Sequence, residues 1–176
     1  RTNQGGTLHD PTAILYVRSA DIDSKTGKLK TGVPVEPLVL RANAGDCVEL
    51  TLENKLPANL LDLAGWNTLP MIVDGFNANQ VKPSNQVGLH PQLVTFDALT
   101  SDGANVGMNV QNAISKGILT PGTTQTAAPG QVVKYKWYAG DVRMSGTTKV
   151  ATPIEFGATN LISSDPIKHS NKGAIG

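Results

Sequence analysis

The imidazole and thiol chemistry open to this chain rests on His9, His90, His169 and Cys47. His90 stands in Gly88-Leu89-His90-Pro91-Gln92-Leu93, with Gln92 at the next alternate position. Alternate residues of a strand share a face, so these two side chains would lie one pleat apart, as a pair of metal ligands does. Gln92 offers a carboxamide, which does not replace imidazole as a nitrogen donor. A blue-copper centre needs a cysteine and two histidines with a weak axial ligand. The residues after Cys47 are Val48-Glu49-Leu50-Thr51-Leu52, with no histidine among them. Cys47 is therefore read as a structural residue.

Harder ligands come from the stretch that follows. Asp97, Asp102 and Asn105 could offer oxygens to Ca²⁺ or Na⁺, although their spacing fits no strict calcium-loop signature. The competing reading is a glycine-assisted turn, for which Asp-Gly and Asn are ordinary chemistry. Asp21, Asp23, Asp62, Asp74, Asp141 and Asp165 are spread along the chain, and no carboxylate pair stands out for acid–base work. Ser163-Ser164 lacks the context of a nucleophile elbow, and there is no glycine-rich phosphate loop. His9 precedes Asp10-Pro11 and reads as a turn residue. His169 lies beside Lys168 and Lys172 and is expected to be solvated or to cap a helix C-terminus.

The elements that must hold these residues are short. The chain has 176 residues, enough for one domain with a real core. Its 18 glycines and 11 prolines favour many turns and short strands over long helices. Net charge is +1, and the basic residues are scattered, so neither nucleic acid nor an anionic membrane is indicated as a partner. No apolar run approaches the ~18 residues of a membrane helix. With one cysteine no internal disulfide forms, which leaves the redox compartment open. The chain opens at Arg1 and reads as a processed chain or a piece of something larger.

Strands are expected at Thr12–Arg18, Pro37–Arg41, Cys47–Asn54, Gly88–Asp97, Val132–Ala139 and Ile154–Ala158, all rich in β-branched or aromatic residues. Two alternate clearly. Val48, Leu50 and Leu52 oppose Cys47, Glu49, Thr51 and Glu53; Val133, Tyr135 and Trp137 oppose Lys134 and Lys136. Residues 57–86 form a long irregular excursion in which Leu60–Ala64 could make a helical turn. Residues 100–130 read as loop. Asp165 is placed as an N-cap with Pro166 at the first helical position, and Gly173 as the stop of a short helix. The pattern points to a β-sandwich.

Four stretches carry a likeness. They are Ala44-Gly45-Asp46-Cys47-Val48-Glu49-Leu50-Thr51-Leu52-Glu53-Asn54-Lys55-Leu56, then Gly88-Leu89-His90-Pro91-Gln92-Leu93, then Ala128-Pro129-Gly130-Gln131 with Tyr135-Lys136-Trp137-Tyr138-Ala139-Gly140, and finally His169-Ser170-Asn171-Lys172-Gly173-Ala174-Ile175-Gly176. In this order they resemble the cupredoxin domains of multicopper oxidases. The closest likeness is to the large, ceruloplasmin-like bacterial kind that includes manganese oxidases, and the turn Ser101-Asp102-Gly103-Ala104-Asn105-Val106-Gly107 adds to it.

The resemblance implies an all-β fold: a Greek-key, cupredoxin-like β-sandwich with long loops and one short helix near the C-terminus. It places residues 1–176 in a single domain, a segment of a longer multidomain chain, with a final strand expected beyond Gly176. It puts His90 where the family has its first His-x-His, whose second imidazole is Gln92 here. The second copper-binding pair would fall near Asn160-Leu161-Ile162-Ser163-Ser164, which holds no histidine. With so few imidazoles the segment is expected to bind no copper by itself, while the parent protein holds copper. His90 is then either a hydrogen-bonded relic or a lone ligand completed by another domain. Calcium at Asp97, Asp102 and Asn105 has precedent in related loops.

Two functions follow. In the first, this is a scaffold domain of an oxidase whose other domains couple oxidation of a metal ion or other reductant to dioxygen reduction. Its partners would be neighbouring cupredoxin domains of the same parent or of another subunit. In the second, it is a secreted β-sandwich module completed by a strand from a partner subunit. The resemblance places either in the bacterial periplasm or outside the cell.

Overall fold

The computed structural model describes residues 2–3, 6–7, 13–58, 84–104, 110–111, 120–121, 125–165 and 168–176, and the structural statements below concern these. His9, Thr12, Leu60–Ala64, Asp62, Asp74, Asn105, Val106, Gly107 and Pro166 lie outside them.

The strands run in chain order as β1 (Thr2–Asn3), β2 (Gly6–Thr7), β3 (Cys47–Glu53), β4 (Leu89–Pro91), β5 (Thr95–Phe96), β6 (Val110–Gln111), β7 (Thr120–Pro121), β8 (Val132–Tyr138), β9 (Gly140–Ser145), β10 (Thr148–Pro153) and β11 (Leu161–Ser163). A 3₁₀ turn at Ser19–Asp21 and a single-turn helix α1 (Lys168–Asn171) are the helical elements among the described residues. Over the described residues the protein is therefore all-β, built from small antiparallel sheets with almost no helix. The largest sheet has the order β3-β8-β5; β9 pairs with β10, β4 with β11, β1 with β2 and β6 with β7.

β3 and β8 form where the alternation predicts. Their register sets Leu50 against Tyr135 and Val48 against Trp137. Tyr135 and Trp137 are buried and stack with ring centroids 5.7 Å apart. They join Ile14, Tyr16, Val87, Leu89, Leu161 and Ala174 in one core cluster, with Val48, Leu50, Leu52 and Val133 packed against it. Residues of β8, β4 and β11 thus share one interior. Burying side chains of this size contributes about 1.5–3 kcal/mol each. On the outer face Glu49 stands opposite Lys136, and the pair meets at 2.9 Å. The hydrogen bond and charge of Lys136 lower the Glu49 pKa, and Glu49 raises that of Lys136.

Several expected strands are corrected. Residues 13–18 supply buried Ile14 and Tyr16 but enter no ladder; Ile14 N–H donates instead to Lys172 O at 2.9 Å. Residues 37–41 likewise make single bonds: Leu38 N–H to Ile175 O, and the Arg18 guanidinium to Val39 O. Pro37 has no N–H to start a ladder. The expected strand at Gly88–Asp97 is broken into β4 and β5 by Gln92-Leu93-Val94, where Leu93 takes φ 67°. Residues 154–158 are not a strand, and Gly157 at φ 72° leaves the extended region.

The strands nearby are β9 and β10, a hairpin closed by Gly146-Thr147 with Ser145 opposite Thr148. A two-residue loop makes that closing pair hydrogen-bonded, so Thr148, Val150 and Thr152 face β9. Lys149, Ala151 and Pro153 then present their backbone outward. Pro153 removes no ladder bond there, as expected of proline on an edge.

The C-terminal residues also pair. Gly176 and Leu161 exchange backbone hydrogen bonds at 2.8 and 3.2 Å, with Ile175 bridged to Ile162. α1 ends in a Schellman motif: Ala174 N–H bonds His169 O, Gly173 N–H bonds Ser170 O, and Gly173 sits at φ 101°. Gly173 is the stop that the sequence predicts.

Candidate functional site

Leu89 and Pro91 are buried in β4, and alternation leaves His90 and Gln92 half-buried on the other side. What fixes His90 is the loop 97–104, which lies directly over β4. The approach is a backbone contact. A Cβ on Gly88 would sit 1.8 Å from Gly103 O, and one on Gly103, itself at φ 74°, would sit 2.1 Å from Leu89 O. Only glycine at both positions permits this crossing.

Buried Gln125 clamps the loop from beneath. Its Oε1 accepts from Asp102 N–H and Gly103 N–H, and its Nε2 donates to Ala98 O at 2.7 Å. Trp137 Nε1–H donates to Ser101 O at 3.0 Å, and Lys136 N–H donates to Ser101 Oγ at 3.1 Å. Tyr135 O–H reaches Gln125 O at 2.6 Å. Burial drives the Tyr135 phenol pKa upward. Core aromatics of β8 thus hold the loop in place.

The loop brings Asp102 to His90. His90 Nδ1 lies 2.8 Å from Asp102 O and 3.2 Å from Asp102 Oδ1. A carbonyl oxygen only accepts, so Nδ1 carries the proton, and in the neutral ring Nε2 keeps its lone pair. No described residue hydrogen-bonds Nε2. Phe96 meets the imidazole edge-on, with centroids 5.5 Å apart at 83°. An imidazole oriented through one nitrogen by a carbonyl or carboxylate is how proteins prepare the other nitrogen as a ligand or base.

The facing strand supplies no companion. Ile162 stands directly opposite His90, Leu161 opposite Pro91, and Ser163 opposite Leu89. The Leu161–Ser163 strand that lies against His90 thus brings isoleucine to it. Gln92 turns to its neighbours: its N–H donates to Asn160 O at 3.1 Å, its carbonyl accepts from Thr159 O–H at 2.8 Å, and its Oε1 lies 3.4 Å from Asn160 Nδ2. Cys47 is exposed in the other sheet, opposite Tyr138.

The proposed hard-cation residues are engaged in turn chemistry. Asp97 Oδ1 accepts from Leu99 N–H at 2.9 Å, and Asp97 O accepts from Thr100 and Ser101 N–H. Asp102 Oδ2 accepts from Ala104 N–H at 3.1 Å. Asn105 lies outside the described residues. Among those described, no three His, Cys, Asp or Glu side chains converge to hold a metal ion.

Two polar nodes escape sequence reading. His169, expected at the surface, is fully buried. Its Nε2–H donates to Ser84 O at 2.6 Å, and its Nδ1 lies 2.7 Å from Ser163 Oγ. Ser84 N–H in turn donates to Asp165 Oδ2 at 2.9 Å, and His169 N–H to Asp165 O at 3.0 Å. This clasp ties α1 and β11 to the segment entering β4. Tyr16 closes it on the core side, donating to Gly88 O at 2.7 Å. Burial pushes the Tyr16 phenol up to about 12, partly offset by a Ser163 hydrogen bond. The second node is Asn54, also buried. Its Nδ2 donates to Asn85 O and Ala127 O, and its Oδ1 accepts from Leu56 N–H.

Neither node has an open face for a substrate, so both are structural. Among the described residues, His90 is the prepared and partly exposed chemical group. No protein-family model, curated protein or solved structure matches this chain. No helix among the described residues is long and apolar enough to cross a membrane.

Proposed function

We propose that this chain is a cupredoxin-like domain that serves as scaffold in a multicopper oxidase and holds no copper centre of its own. The observation that carries this reading is the ladder at His90. A fixed imidazole whose Nε2 has no hydrogen-bond partner among the described residues faces Ile162, with Gln92 as its neighbour along the strand. A lone imidazole of this kind does not make a redox copper site, which needs several nitrogen or sulfur donors.

The motif order supports a Greek-key cupredoxin sandwich, and the shared interior of β8, β4 and β11 suits it. In this reading the rest of the oxidase oxidises a metal ion or another reductant and reduces dioxygen. The domain positions its copper-bearing neighbours, in the periplasm or outside the cell. His90 can join an interdomain site as a single ligand, and Asp97, Asp102 and Asn105 are the oxygen donors proposed for calcium.

The test is a metal count on the purified protein after incubation with copper and exhaustive dialysis. The scaffold reading expects far less than one copper per chain and no oxidase turnover. Stoichiometric copper with a visible thiolate-to-copper band would overturn it.

A second reading, an assembly module completed by a partner's strand, is favoured by the edge of β3. Among the described residues β8 is the ladder partner of β3, and its other side borders a groove of about 520 Å³ lined by Arg18, Leu40, Arg41 and Val48–Thr51. An open edge of this length can accept a strand. Sedimentation that stays monomeric across a wide concentration range, with no stoichiometric partner, would remove this reading.

A further inference from the structure

We draw no further inference here: the strongest candidate, the β9–β10 hairpin with Met144 and Val150 exposed on it, carries nothing because nothing in the structure shows what covers it.

Discussion

Replacing His169 with alanine tests the clasp that joins α1, β11 and the segment entering β4. The ring is fully buried and makes two hydrogen bonds, to Ser84 O and with Ser163 Oγ. Its removal strands a half-buried carbonyl and a buried hydroxyl, at about 1–3 kcal/mol each, the carbonyl toward the lower end. The void adds to this, because surrounding side chains relax only in part. A loss of about 4 kcal/mol is expected, a large share of the ~5–15 kcal/mol that keeps a domain folded. With a urea slope of about 2 kcal/mol per molar, the midpoint should fall by roughly 2 M at unchanged slope. Ser163→Ala alone should also destabilise. In His169→Ala it should do so less, since the partner is already gone, by a coupling of about 1–2 kcal/mol. A midpoint shift for His169→Ala below about 0.5 M, or strict additivity with Ser163→Ala, would refute the clasp.

Other outcomes follow from the same geometry. Leu93 holds a left-handed conformation that disfavours a β-carbon by about 1–2 kcal/mol, and its side chain is exposed. After the entropy of glycine is subtracted, Leu93→Gly should raise stability by about 0.5–1 kcal/mol in chemical denaturation. Gly103→Ala places a Cβ 2.1 Å from the backbone oxygen of Leu89. It should destabilise by more than about 2 kcal/mol and loosen the His90–Asp102 contact, seen as a changed His90 imidazole signal by NMR. Tyr16 holds its proton more tightly when folded (about 12) than an ordinary phenol does (10.0), so its contribution is complete below pH 10 and is lost as pH rises through 12. Thermal denaturation should show that alkaline loss, about 2 kcal/mol, and Tyr16→Phe should shrink it.

What could be read from the sequence was whatever has one wet and one dry side. β3 and β8 alternate because Leu50 and Tyr135 face a core while Glu49 and Lys136 face water, and both were legible. The β9–β10 hairpin was not, since every residue of β10 is exposed and no buried face writes a period into it. Ile14 and Tyr16 read as a strand because they are buried, yet burial alone does not supply a ladder partner. His90 was legible as a ligand-like imidazole, but Asp102 as its orienting partner depends on the close crossing of Gly88 and Gly103. His169 was misjudged through its lysine neighbours. Its partner Ser84 lies 85 positions away, where no local pattern can reach.

The central claim is that His90 is one oriented imidazole with no companion ligand among the described residues. Copper(II) titration followed by electron paramagnetic resonance, on the wild type and on His90→Ala, tests it most directly. The account predicts weak binding in the wild type, with a single imidazole nitrogen coupled to the metal, removed by mild chelation and absent in the variant. Copper retained against a strong chelator, with several nitrogens or a thiolate in its coordination sphere, would contradict it.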